Sequence, residues 1–324
     1  MDDTMVGVEA ATPVPKLERS ASKANLIAPA AQTICAVIIT YHPDGNIFQH
    51  LETIVGQVSQ TVIVDNGSSE LSVTQLREIA DRLGVHLILN HENKGIARAL
   101  NQGAEWAAAA GYSWILTLDQ DTMVASDMIE SLTAVFLRYP LPQWLAVIGS
   151  NYTDKITGKW QTKTINSSDS LYTTSVTALT SGSLVSLRVF QAIGGFRDDF
   201  FIDCVDHEYC LRARSRGFEV ALTSKPVMQH GIGHMTEHRV LWKKVGTSNH
   251  DAARQYFMSR NSFLLARQYI GTDRRWILGY MWAWLKSVVV ISLFEQARSS
   301  KMKNIFRGCI DGMLGRTSNR GSQR

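Results

Sequence analysis

The chain has 324 residues, enough for one large domain with appendages, and its 45% hydrophobic and 19% charged composition is that of a globular protein. A net charge of +4 is too mild to argue nucleic-acid binding. Four cysteines (Cys35, Cys204, Cys210, Cys309) without a CxxC pair fit a reducing compartment and exclude a disulfide framework or a zinc knuckle.

Residues 1–32 are rich in Ala, Ser, Pro and Thr, open with Asp2 and Asp3, and carry no apolar core. They predict a disordered leader rather than a signal peptide. "TICAVIIT" (33–40) is a β-branched strand, followed by the turn chemistry of "YHPDGN". Ile47, Leu51, Ile54, Val55 and Val58 recur at helical spacing. "TVIVDNGSS" repeats strand then turn, and Leu76, Ile79, Ala80 and Leu83 mark the next helix. "VHLILN" is a third strand. "GIARALNQGAEWAAAAG" is a helix closed by Gly111. "WILTLD" is a fourth strand, a helix follows over 127–138 with acids in its first turn, and "WLAVIGS" is a fifth strand.

Strands alternating with helices imply an α/β fold with a mainly parallel sheet, whose ligands sit beyond the carboxyl ends of the strands. The polar residues fall at those ends: Thr40 and Tyr41, Asp65 and Asn66, Asn90 to Gly95, and Asp119 to Thr122. Four such exits predict one crevice. After residue 150 the rhythm changes. "NYTDKITGKWQTKTINSSDS" is polar and loop-like, "LYTTSVTALTSGSLVSLRVF" turns helical near Leu187, and "FRDDFFIDCVDHEYCLRARSRGF" is dense in acids and aromatics.

Two carboxylates at Asp119-x-Asp121 can hold a hard divalent cation, or simply cap a turn and a helix. Asp65 can accept bonds from a ribose or a base, or close its own Asx-turn. Asp203, Asp206 and Glu208 lie among apolar residues, where burial raises a carboxylate's pKa toward that of a general base. They also fit helix-end stabilisation or pairing with Arg212 and Arg214. His230, His234 and His238 recur at fours, but the glycines between the first two argue against a helix; zinc is the weaker option for them. No GxGxxG, GxxxxGK[ST] or GxSxG is present. "WILGYMWAWLKSVVVISLF" (276–294) has Lys286 near its middle and an aromatic first half. It reads as an interfacial helix, with internal packing or a true span as alternatives. From Arg298 to Arg324, seven Lys/Arg face one Asp, a basic tail for solvent or anionic lipid.

"VIITYHPD", "VIVDNGSS", "NKGIARALNQG", "LTLDQDT", "GGFRDDFFIDCVDHEYCLRARSRGF", "QHGIGH" and "YFMSRN" occur in that order over roughly residues 34–265. Together they resemble the family 2 inverting glycosyltransferases of GT-A fold and, more narrowly, bacterial rhamnosyltransferases. The resemblance implies a catalytic domain over 33–265, with a nucleotide-sugar-binding half (33–150) and an acceptor half (151–265). A helical, membrane-associated extension would occupy 266–324. It implies that Asp65 contacts the nucleoside, that Thr40 and Tyr41 line the pocket, and that Asn93 and Gly95 lie near it. Asp119 and Asp121 would hold Mg²⁺ or Mn²⁺ against the diphosphate, with His230 completing the metal site. Gln120 joins the donor-binding set. Asp206 would be the catalytic base, with Asp203 and Glu208 on the acceptor side, and Arg260 with Asn261 would approach the diphosphate. Gln120 and His207 depart from the commonest family pattern.

The implied reaction transfers a sugar, L-rhamnose from dTDP-L-rhamnose, to a lipid-linked surface polysaccharide or O-antigen intermediate. Its setting would be the cytoplasmic face of the inner membrane. The alternatives are another nucleotide sugar, a nucleotidyltransferase (which lacks its Gly-rich basic loop here), and a non-catalytic glycan- or lipid-binding scaffold.

Overall fold

The computed structural model describes residues 26–154, 170–230, 236–240, 243–247 and 249–317. Most of the expected leader (1–25), much of the polar stretch after 150, His234, the side chains of His230 and His238, and the final basic residues Arg320 and Arg324 lie outside the described residues. Residues 26–32, the end of the expected leader, are folded onto the domain. Trp114 Nε1 donates to Ile27 O at 2.9 Å, and Thr133 Oγ1 to Pro29 O at 3.2 Å.

The elements run β1 (Ile34–Thr40), α1 (Ile47–Val55), β2 (Gln60–Asn66), α2 (Glu70–Leu83), β3 (His86–Asn90), α3 (Ile96–Ala109) and β4 (Trp114–Asp119). Then come β5 (Met123–Val124), α4 (Met128–Arg138), β6 (Leu145–Asp154), β7 (Tyr172–Ser175), β8 (Ser183–Ser186) and α5 (Leu187–Ile193). The chain continues with α6 (Val205–Ser215), β9 (Glu219–His230), β10 (Thr236–Val240), β11 (Lys243–Thr247), α7 (Ala252–Tyr269), α8 (Arg274–Phe294) and α9 (Arg298–Met313).

Among the described residues, nine strands form one sheet in the order β3-β2-β1-β4-β8-β6-β9-β5, with β7 beside β9. The half from β3 to β4 is parallel, as the alternating pattern requires. Beyond β4 the sheet becomes mixed, because β8 runs antiparallel to both β4 and β6. Each residue of β1 is buried, since helices cover both faces. Cys35, Val37 and Ile39 pack on one face with α3, α5 and α6, while Ile34, Ala36 and Ile38 pack on the other with α1, α2 and α4.

The register aligns the four polar exits. Thr40 pairs with Asp65, Ile39 with Asp119, and Asn66 with Asn90. Helices α7, α8 and α9 close the chain, and α9 lies tight on α7. A Cβ on Gly308 would meet Tyr256 O at 2.4 Å, and one on Gly312 would meet Arg260 O at 2.5 Å, so only glycine permits this approach. Helix α8 is 21 residues long, with a mean hydropathy of 1.7 over its most apolar window, of which 11% is buried. By length and composition it could cross a membrane. Its inner side anchors through Ile277 and Ile291, and Leu278, Trp282, Leu285, Val289 and Leu293 are exposed.

Candidate active site

Two adjoining clefts open at the strand exits and share Ile96, Asp119 and Ile202. The smaller, about 200 Å³, brings together Tyr41, Asn93, Gly95, Asp119 and Gln120, all named from the sequence. The larger, about 290 Å³, carries Asp203 and Asp206 beside Asp119.

The wall of the smaller cleft is held by side-chain amides. Asn66 Nδ2 donates to Asn93 Oδ1 at 2.9 Å, and Asn66 Oδ1 accepts from Asn90 Nδ2 at 3.2 Å and from the Lys94 amide at 3.0 Å. Asn93 Oδ1 also accepts the Gly95 amide at 2.9 Å. Gly95 enters α3 at φ +85°, and a Cβ there would stand 2.6–2.8 Å from atoms of Phe201. The Phe201 carbonyl instead accepts the Ile96 amide at 2.7 Å. Thus a segment distant in sequence caps α3 and forms part of the cleft. The sequence placed Asn66 among the strand exits that converge on the crevice, but it did not mark Phe201 and Ile202 as cleft walls.

Thr40 and Asp65 are wholly buried, and neither lines the cleft. The Asp65 carboxylate accepts Thr40 Oγ1 at 3.0 Å, the Ser68 amide at 2.9 Å, the Gly67 amide at 3.2 Å and the Ser68 hydroxyl. The Asx-turn alternative is present here: Gly67 and Ser68 of the turn supply three of these bonds and Thr40 of β1 the fourth.

Asp119 and Asp121 bracket the β4 exit. The Asp119 amide donates to Ser181 Oγ at 3.1 Å, and the Thr122 amide donates to Asp119 O at 3.2 Å. Asp121 is exposed on the turn. Gln229 pairs with Met123, so the backbone of His230 follows opposite Thr122. Two carboxylates are hard oxygen donors that suit Mg²⁺ or Mn²⁺. Among the described residues no three His, Cys, Asp or Glu side chains gather as a complete ligand set.

Asp206 begins α6 with its side chain 18% exposed. It accepts the Thr180 amide at 3.2 Å and the His207 amide at 2.8 Å, and His207 Nδ1 lies 3.2 Å from Oδ1. Burial pushes the Asp206 carboxyl up, but the His207 imidazole with these amide donors outweighs it and holds the group below the usual carboxylate range. The sequence-based expectation of a raised pKa therefore reverses. His207 moves the opposite way: burial lowers it, and Asp206 more than compensates, so its pKa is raised. The ring sits edge-on to Trp276 and Tyr280 of α8, at 5.2 and 5.4 Å between centroids. Tyr280 itself lines the larger cleft, and its hydroxyl meets Cys204 Sγ at 2.9 Å.

Glu208 is not on the acceptor side. It is wholly buried, bonded to Arg212 Nε at 3.0 Å and Tyr269 Oη at 2.8 Å, because its place two residues after Asp206 on α6 turns it away from Asp206 into the core. Arg260 is likewise not at the rim. It has no exposed surface, and its guanidinium donates to Asn261 Oδ1 at 3.0 Å and to the Asp199 carbonyl, above the Phe257 ring. Asn261 Nδ2 lies 2.9 Å from each of the carbonyl oxygens of Phe200, Ile202 and Asp203. These bonds hold a strained loop, with φ of +57° at Phe201, +63° at Asp203 and +62° at Cys204. The cation that does line the larger cleft is Arg254, which sequence reasoning missed. It grips Asp203 through Nε and Nη2, each at 3.0 Å.

Comparison with known proteins bears on the family and the fold. Residues 35–197 match the family described as glycosyl transferase family 2. The dTDP-rhamnosyl transferase RfbF of Shigella flexneri is 30% identical over 244 residues, which is 72% of this chain and 80% of that protein. Among solved structures, the mannosyltransferase PcManGT from Pyrobaculum calidifontis, in complex with GDP-Man and Mn²⁺, superposes with a TM-score of 0.52 at 13% identity. That match covers 89% of this chain and 90% of the other. GalNAc-T7 with UDP, GalNAc and Mn²⁺ gives a TM-score of 0.54 at 12% identity over 74% of this chain, which spans about half (49%) of that protein's length. The chain belongs to glycosyl transferase family 2 and is a glycosyltransferase with a GT-A-like α/β fold.

Proposed function

We propose that the protein transfers L-rhamnose from dTDP-L-rhamnose to a lipid-linked glycan, with inversion, in one displacement. The observation that carries this reading is the meeting of the two clefts at Asp119, with Asp206 lining only the larger. The smaller cleft takes the nucleotide, and the larger takes the acceptor. The 30% identity to a dTDP-rhamnosyl transferase supports the choice of donor.

The acceptor hydroxyl attacks the anomeric carbon opposite the leaving group, and its proton passes to the Asp206 carboxylate as the new bond forms. A carboxylate held ionised by His207 and Thr180 is ready to receive it. Positioned base catalysis contributes about 10²–10⁴ in rate. Asp119 and Asp121 would hold Mg²⁺ or Mn²⁺, with His230 a further ligand. Such a cation neutralises charge on a departing diphosphate; the two solved relatives named above contain Mn²⁺. The exposed apolar side of α8 supports residence at a membrane surface, the cytoplasmic face of the inner membrane, where a lipid-linked acceptor is found.

The test is a panel of nucleotide sugars supplied with Mg²⁺ or Mn²⁺ and a lipid-linked saccharide, with and without EDTA. Transfer from dTDP-L-rhamnose above all other donors, abolished by EDTA, is expected. A different preferred donor would replace rhamnose, and full transfer in EDTA would remove the metal role.

A further inference from the structure

Of the side chains lining the two clefts, Arg254 is the one guanidinium or ammonium group among the described residues. It shares the larger cleft with three carboxylates, Asp119, Asp203 and Asp206, and contacts the second of them. A nucleotide diphosphate brings further negative charge into that space, so a cation there has more than one anion to choose from.

We propose that Arg254 exchanges partners: it grips Asp203 in the donor-free enzyme and passes to the donor's diphosphate on binding, which releases the Asp203 carboxylate into the acceptor cleft. This rests on the nucleotide-sugar reading of the site above.

Three features support the exchange. The present pair is a fork, with Nε and Nη2 each 3.0 Å from one Asp203 oxygen. The same planar fork matches phosphate oxygens equally well. The partners also differ in freedom. Asp203 is 18% exposed and sits on the loop fixed by Asn261, whereas Arg254 is 38% exposed and is a long side chain on the first turn of α7. The cation can swing while the carboxylate stays. Finally, the Arg254 end of the pair is open to solvent, which screens it and lets an incoming anion compete. The consequence is an order of events. Asp203 becomes available to acceptor hydroxyls only after the donor has taken Arg254, so the donor binds first.

The experiment is calorimetric binding of thymidine diphosphate with Mn²⁺, and of thymidine alone, to the full chain and to R254Q and D203N. Asn tolerates the left-handed backbone at 203, so D203N keeps the loop. R254Q is expected to weaken diphosphate binding about tenfold or more while leaving thymidine unchanged. D203N, which removes the competitor, is expected to tighten diphosphate binding about two- to fivefold. A merely structural pair predicts the same sign for both variants, and that result overturns the exchange. Should R254Q fail to fold, R254K keeps the charge and loses the fork. It is expected to bind the diphosphate a few-fold more weakly, and wild-type affinity in R254K would count against the exchange. A wild-type chain that binds no nucleoside diphosphate defeats the donor reading itself. Wild-type binding with an unchanged R254Q defeats the exchange alone.

Discussion

Gln120 and Tyr41 are joined by two hydrogen bonds: the Tyr41 amide donates to Gln120 Oε1 at 2.8 Å, and Gln120 Nε2 donates to Tyr41 O at 3.3 Å. The side-chain amide thus acts as an extra rung of the sheet beyond the last residue of β1. The residue between the two aspartates ties the nucleotide-side turn to the β4 exit. His50 Nδ1 adds a contact to Gln120 O at 2.9 Å. Gln120→Ala is expected to cost about 1 kcal/mol of stability. It should raise the donor KM about fivefold, since the freed Tyr41 turn must be ordered on binding. A fall in kcat with unchanged KM would contradict this role.

Asp206→Asn removes the proton acceptor while keeping the shape of the group. Transfer should drop by about 10²–10⁴, with nucleotide binding intact by calorimetry. Wild-type turnover in this variant would remove the assignment.

The Asp206–His207 pair also predicts a pH signature. Asp206 is held low, so its contribution to stability is present above the ordinary carboxylate range and is lost as pH falls through the folded value. His207 is held high, so its contribution is complete below the ordinary imidazole value and is lost as pH rises through the folded value. The pair stabilises most between about pH 4 and 6.5. Urea unfolding of the wild type and His207→Asn should differ most near pH 5.5 and least near pH 9. A constant difference across that range would show that the pair is not ionic.

Glu208→Gln should act on stability rather than on acceptor choice. It leaves Arg212 without its buried countercharge, at a cost of about 3 kcal/mol in urea unfolding. A stable variant with an altered acceptor KM would restore Glu208 to the site.

Helix α8 gives a fifth test, one that spares the core. Ser at Leu278, Trp282 and Leu285, which are 52%, 58% and 45% exposed, should leave folding unchanged. Co-sedimentation with anionic phospholipid vesicles should fall to background. Wild-type protein that stays in the supernatant would exclude the membrane reading.

The parallel half of the sheet was legible because each strand and helix announces itself locally, by an apolar run or a 3.6-residue period. The crevice was legible too, because parallel strands in register must bring their carboxyl ends together. The motif around α7 named Arg260, which is buried, whereas the arginine of that helix lining the larger cleft is Arg254. At about 100° per residue, Arg254, Met258 and Asn261 share one face, while Arg260 lies about 120° around from Arg254. Arg254 and Met258 accordingly line the larger cleft, and Asn261 holds its loop. Counting faces from Asn261 would have found Arg254, but nothing in the motif says which face meets the site.

The sequence by itself determined the α/β order and the strand exits that carry Asn66 and Asp119. Those features depend on local periodicity and on residues close together in the chain. Only the tertiary structure decided that Asp65 serves its own turn, that Glu208 and Arg260 are interior, that Gln120 clips Tyr41, and that Arg254 faces the cleft. Each depends on which way a polar side chain points and which distant carbonyl or carboxylate reaches it first. That competition for hydrogen-bond partners exists only once segments far apart in sequence are packed together.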